Sequence, residues 1–205
     1  MEASCAQRFL QAFVHSFLRI AGIYPPDAFR RATLFGAPVF TCFVPSVVSY
    51  VDANIDEFLR LLRQSPTDLL AFVIDFLDAT DRPVERVTLR VHQLTLNKPS
   101  KKQPRFYDAY LDAAVTDPKV QPHLRHILEQ IQLWRRSYLK SMPCFRICIF
   151  VRPDYSTNVE RLLLSGTWET TSHHCGDEAI ERTMHPLASV NAEMMNVDVF
   201  QHCLI

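Results

Sequence analysis

The sequence predicts an α+β fold, with helices on one face of a mostly antiparallel sheet. Three observations carry that expectation. Apolar residues recur at helical spacing in three separate stretches, and a continuous apolar run is followed, after a short turn, by a run of alternating polarity. The last stretch, about fifty residues, has β-prone runs but no helical pattern, so nothing local buries it and the sheet edges must hold it.

The first element is a helix in which Phe9, Leu10, Phe13, Val14, Phe17 and Leu18 form one apolar stripe. It stops before Pro25 and Pro26, which cannot continue it. The run "APVFTCF" is short and β-prone. A second helix follows on the stripe Val47, Val51, Ile55, Phe58, Leu59 and Leu62, and Pro66 closes it. "LLAFVIDFL" has the length and continuous apolarity of a central strand. After the turn "DATDRP", "VERVTLRV" alternates, with Val87, Leu89 and Val91 one way and Arg86, Thr88 and Arg90 the other, so the pair reads as a hairpin. "NKPSKKQPR" is an exposed basic loop within the irregular region from His92 to Lys119. A third helix starts near Asp117 or Gln121, with a proline in its first turn, on the stripe Leu124, Ile127, Leu128, Ile131, Trp134 and Tyr138. "CFRICIFVR" is another alternating strand. "NVERLLLSGTWETT" suits one more, and the tail "NAEMMNVDVFQHCLI" is apolar enough to dock.

At 205 residues the chain suits a single domain with a real core. Only 4 glycines stand against 13 prolines, which leaves little material for glycine-rich phosphate loops. Lys+Arg and Asp+Glu both number 22, so the basic excess that a nucleic-acid-gripping domain carries is missing, and strong direct DNA binding is not expected. The N-terminal stretch lacks a basic leader, and Arg8, His15 and Arg19 interrupt its apolar positions. No stretch has the length and apolarity of a membrane span. The six cysteines are scattered without a CxxC pair, as expected for free thiols in a reducing compartment, nucleus or cytoplasm.

Chemistry-bearing residues gather in "GTWETTSHHCGDEAIERTMHP", where His173, His174 and Cys175 are adjacent and His185 follows. Adjacent strand side chains alternate in direction, so three neighbours make a poor zinc set, and no metal or other cofactor is expected. The nucleotide-binding, hydrolase and metalloprotease motifs are absent. Asp75 and Asp78, near the end of an apolar strand, read as solvated or turn-forming carboxylates. Cys144 and Cys148 share a strand face, as core thiols do, and His15 reads as a satisfied core histidine. Trp168, after a glycine in a polar tail, is either a core plug or a binding anchor.

The strings "FLQAFVHSFLRIAGIYPPDAF", "APVF", "VVSYV", "DRPVERVTLRV", "NVERLLLSGTW" and "HPLASV" resemble a HORMA domain over almost the whole chain. They are most like the branch that supplies the non-catalytic accessory subunit of translesion DNA polymerase zeta. The resemblance implies one HORMA domain over 1–205, with a core of about 5–152 and a C-terminal safety belt of about 153–205. The belt would trap a short partner peptide as an added strand. It further implies that Tyr50 and Trp168 contact the peptide, and that Met184, Asp198 and Phe200 face a second partner, the translesion deoxycytidyl transferase scaffold. Glu129 matches a dimer-surface position and reverses its charge. The implied partners are a closure-motif peptide of the polymerase zeta catalytic subunit, another HORMA protein and an AAA+ remodeller, in the nucleus and without enzymatic activity. A spindle-checkpoint or meiotic-axis adaptor is the alternative role. An enzyme using His173, His174 and Cys175 is the remote one.

Overall fold

In the computed structural model the residues described are 4–64, 69–93, 115–134, 144–151, 181–192 and 195–204. Helix α1 spans Cys5–Ala21; Ser4 caps it by accepting from the Gln7 N–H, and Gly22, at φ 68°, closes it in the left-handed region where a side chain would be strained. Strands β1 (Phe29–Leu34) and β2 (Ala37–Cys42) form a separate antiparallel hairpin. Its turn places Phe35 and Gly36 at φ 50° and 80°. Helix α2 spans Pro45–Gln64 and helix α3 Gln121–Leu133. The main sheet comprises β3 (Leu69–Leu77), β4 (Pro83–Gln93), β5 (Cys144–Val151), β6 (Glu181–Ala192) and β7 (Met195–Leu204). Its order is β5-β3-β4-β7-β6, with every neighbouring pair antiparallel. The α+β class expected from the sequence is the one found.

The helices lie on one face of this sheet. Phe72, Ile74 and Phe76 of β3, Val87 and Leu89 of β4, Ile147 of β5 and Val199 of β7 share one apolar core with the inward stripes of all three helices. Helix α1 is buried on most of its surface, as a helix enclosed between other elements must be. Aromatic rings tie the layers together. Phe17 meets Trp134 edge-on at 5.2 Å, and Trp134 stacks on Phe76 at 5.7 Å. Phe58 meets Phe72 at 5.1 Å. Each such pair contributes about 1 kcal/mol beyond the area it buries.

The other face of the sheet sets a charged group among buried Ala71, Val73 and Leu77 of β3. Asp75, in the middle of β3, is fully buried and accepts two bonds from Arg86 on β4, at 2.6 and 3.1 Å. Arg146 on β5 reaches the same carboxylate at 3.4 Å. Asp75 is therefore neither solvated nor turn-forming, contrary to expectation: its position in the strand turns it to the face where β4 and β5 each present an arginine. Asp78 does form the turn, accepting from the Thr80 N–H and hydroxyl and from the Arg82 N–H. Cys148 lies 3.8 Å from Asp75 on this face, half-buried rather than a core thiol; burial and then the neighbouring carboxylate push its thiol up.

Several local expectations also change. Strand β1 was not legible, because four of its six residues are exposed and only its hairpin partner reads as β-prone. Helix α3 has Val120 at its N-cap without a side-chain bond, while Asp117 organises the preceding turn by accepting from the Lys119 N–H. Pro122 does occupy the first turn. His15 is buried, but neither ring nitrogen has a hydrogen-bond partner. The basic loop, Tyr138 and the "NVERLLLSGTWETT" run lie outside the described residues.

Removing Arg86 while keeping Asp75 would leave a buried carboxylate with only the longer contacts to Arg146 and Cys148. Arg86→Ala is expected to lower unfolding free energy by about 3 kcal/mol in urea titration, and Asp75→Leu combined with Arg86→Met to recover most of that loss.

Candidate functional site

The two margins of the five-stranded sheet differ. Among the described residues β5 pairs only with β3, so its outer side is a free edge. The opposite margin is β6, paired inward to β7, which in turn pairs with β4. Because neighbours alternate in direction throughout, β5 and β6 run parallel at opposite margins. Val151 ends one margin and Glu181 begins the other, roughly 19 Å away across four strand spacings. The belt expected from the sequence, about 153–205, falls largely on 152–180, which lie outside the described residues.

Tyr50 stands at the free edge. Its neighbour Val51 belongs to the buried stripe of α2, so Tyr50 falls beside that stripe and remains 40% exposed. The ring packs edge-on against Phe145 of β5 at 5.6 Å, and Tyr24 approaches Phe145 from another side at 6.4 Å. The Tyr50 hydroxyl accepts from the Ile147 backbone N–H at 3.1 Å. Burial raises the phenol above its ordinary value more than the Ile147 N–H lowers it, so the hydroxyl is neutral at physiological pH. Tyr50 thus covers Phe145 and the Ile147 amide on a margin of β5 that has no other strand partner among the described residues. Phe145 and Ile147 carried no functional expectation; the available signal was an alternating strand without proline.

The residues expected to face a second partner fall on the far hairpin. Asp198 and Phe200 are two apart on β7, half-buried, and on the side opposite core residue Val199. Asp198 pairs across with Arg90 and Ser189, and Phe200 with Thr88 and Pro186. The Arg90 guanidinium lies 5.4 Å from the centre of the Phe200 ring. Met184 pairs with His202 by register on β6. The fold therefore brings positions 184, 198 and 200 onto one hairpin, three to four strands away from the β5 margin where Tyr50 stands. Glu129 is on α3, paired with Arg125 at 2.7 Å one turn earlier. Trp168, His173, His174 and Cys175 lie outside the described residues, among which no group of three or more His, Cys, Asp or Glu could hold a metal.

A separate cleft of about 180 Å³ opens between α1, the β1–β2 hairpin and the start of α2. Arg8, His15, Thr33, Thr41 and Cys42 contribute to its wall, and Gln11 is held there by Asp52 at 2.7 Å. Burial lowers His15 to about 4, more than the Asp52 charge raises it. His15 is neutral at pH 7.

No protein-family model and no curated protein matches the chain. Solved structures do. A chain of a mitotic checkpoint complex superimposes with a TM-score of 0.69 at 13% identity, covering 97% of this chain and 96% of that one. Caenorhabditis elegans HTP-2 bound to a HIM-3 closure motif gives 0.63 at 11% identity, covering 96% and 87%. C. elegans HTP-1 bound to HTP-3 motif-1 gives 0.61 at 11%, covering 97% and 88%. Likeness at this level of identity is likeness of fold, and the fold is the HORMA fold.

The His15 environment makes stability depend on pH with a definite sign. The folded state holds the ring well below the 6.5 of a free histidine, so its contribution is complete above that pH and is lost as pH falls toward 4. The loss reaches up to about 3 kcal/mol relative to His15→Leu, read as the difference between the two proteins' urea-unfolding free energies at pH 7 and pH 4.5.

Proposed function

We propose that this protein is a non-catalytic adaptor that takes an extended segment of a partner as an added strand along β5 and closes its belt, about 153–205, over it. The observation that carries the reading is the β5 edge, unpaired among the described residues and flanked by Tyr50 and Phe145, in a sheet whose C-terminal hairpin is docked at the opposite margin. Backbone hydrogen bonds along an edge supply general affinity, and side-chain contacts at alternate positions select the segment. Support also comes from the similar solved chains, HTP-2 and HTP-1, each solved bound to a HIM-3 closure motif.

The specific role we propose is the accessory subunit of DNA polymerase zeta in translesion synthesis, in the nucleus. Its trapped segment would come from the catalytic subunit, and the surface of Met184, Asp198 and Phe200 would engage the deoxycytidyl transferase scaffold. Separation of that surface from Tyr50 by three to four strands supports simultaneous engagement of two partners. A spindle-checkpoint or meiotic-axis adaptor is supported equally by the solved structures it resembles. In either role Glu129, already paired with Arg125, would be a surface for a second HORMA protein, and an AAA+ remodeller would reopen the belt.

The roles differ in the peptide held. Labelled peptides from the polymerase zeta catalytic subunit and from checkpoint and meiotic closure motifs are compared on the full chain, with hydrogen exchange locating the bound peptide. The expected outcome is tightest binding of the polymerase peptide, with slowed exchange at Phe145, Ile147, Ile149 and Val151. Preference for a checkpoint or meiotic peptide transfers the protein to that role, and binding without protection of β5 overturns the strand-addition reading. Trp168→Ala is expected to weaken the preferred peptide on the order of thirtyfold, as loss of a buried aromatic anchor does. Unchanged affinity and off-rate in the folded variant would make Trp168 a core plug.

A further inference from the structure

The two sheet margins are protected from unwanted pairing by different chemistry. On β6, Pro186 falls mid-strand, exposed, and the pairing with β7 shifts register between Pro186 and Ala188. Proline cannot donate to a ladder and a bulge twists the edge away, so another strand cannot readily add there. That protection is permanent. Strand β5 contains no proline, and its described pairing with β3 is regular from Ala71 and Phe150 to Leu77 and Cys144.

On β5 the protecting group is a side chain. Successive backbone N–H groups of a strand point alternately toward and away from its neighbour. The Ile147 N–H is directed to the Tyr50 hydroxyl, so it is one of the groups that β3 does not take. A strand adding to β5 needs that donor near the middle of the ladder. The hydroxyl already holds it, while the Tyr50 ring, braced on Phe145, remains partly open to solvent and free on that side to move.

We propose that Tyr50 is a reversible guard of the β5 edge: its hydroxyl occupies the Ile147 N–H in the empty protein and yields it when a partner strand adds. The part concerning the partner rests on the adaptor reading above; the occupancy of the edge does not. The guard restricts pairing to segments that offer enough other contacts to displace it. It also keeps the empty protein from pairing edge to edge with another copy. Pro186 does the same at the far margin without being removable.

Tyr50→Phe removes the hydroxyl and retains the ring against Phe145, so the fold is conserved while the guard is lost. Amide hydrogen exchange is measured on the empty full chain, wild type and variant. Ile149, two residues along the same side of β5 and with no side-chain partner among the described residues, is the internal reference. The net worth of one hydrogen bond corresponds to about fivefold, so Ile147 exchange is expected to accelerate about fivefold and Ile149 not at all. A peptide selected from a random displayed library against the wild-type protein is then used as the binding probe. Its association with Tyr50→Phe is expected to be about fivefold faster. Unchanged Ile147 exchange, or association no faster than wild type, overturns the guard. If no library peptide protects β5 in either protein, the adaptor reading fails, and Ile147 exchange alone then decides whether the hydroxyl caps the edge.

Discussion

A strand at the margin of a sheet carries a row of backbone donors and acceptors that no neighbour satisfies, and the architecture of this protein follows from how its two margins are treated. The C-terminal hairpin docks on β4, so β7 becomes an interior strand and β6 becomes a margin interrupted by Pro186. The same placement leaves β5 as the other margin. Had the hairpin docked on β5, the exposed ladder would have been that of β4. The choice of edge is therefore a choice of which backbone ladder is left unpaired among the described residues.

The interior makes that edge rigid. Three helices press an apolar core onto one face of the sheet, with Phe17, Trp134 and Phe76 in one aromatic chain from α1 to β3. On the opposite face the Asp75 carboxylate joins β4 and β5 through Arg86 and Arg146. Replacing such a buried ion group wholesale with apolar residues often costs little, yet breaking it costs much, so it favours one alignment of β3, β4 and β5 over slipped alternatives. A one-residue slip of β5 would separate Arg146 from Asp75 and turn Ile147 away from the core. It would also remove the Ile147 N–H from Tyr50.

Most of the sheet's width separates the two surfaces assigned to partners under the proposed function. Tyr50 and Phe145 mark one margin; Asp198 and Phe200 lie on the hairpin at the other. Three strand spacings, roughly 14 Å, lie between β5 and β7. The cleft at His15 holds a buried neutral imidazole between α1 and the β1–β2 hairpin.

Much of this was written in local pattern. The stripes of Phe9 to Leu18, Val47 to Leu62 and Leu124 to Ile131 determine three helices, because 3.6-residue spacing collects those side chains on one face. The alternation of "VERVTLRV" determines a two-faced strand by the same logic at period two. A tail without helical pattern determined that sheet edges must hold it. Local pattern is silent about which edge, since any free ladder offers the same backbone groups. Tertiary structure alone turned Asp75 onto two arginines separated from it by eleven and seventy-one residues in sequence. It also left His15 buried without a partner and set the Tyr50 hydroxyl on the amide of Ile147, ninety-seven residues away. Contacts of that range depend on how distant strands come to lie side by side, and no local period encodes them.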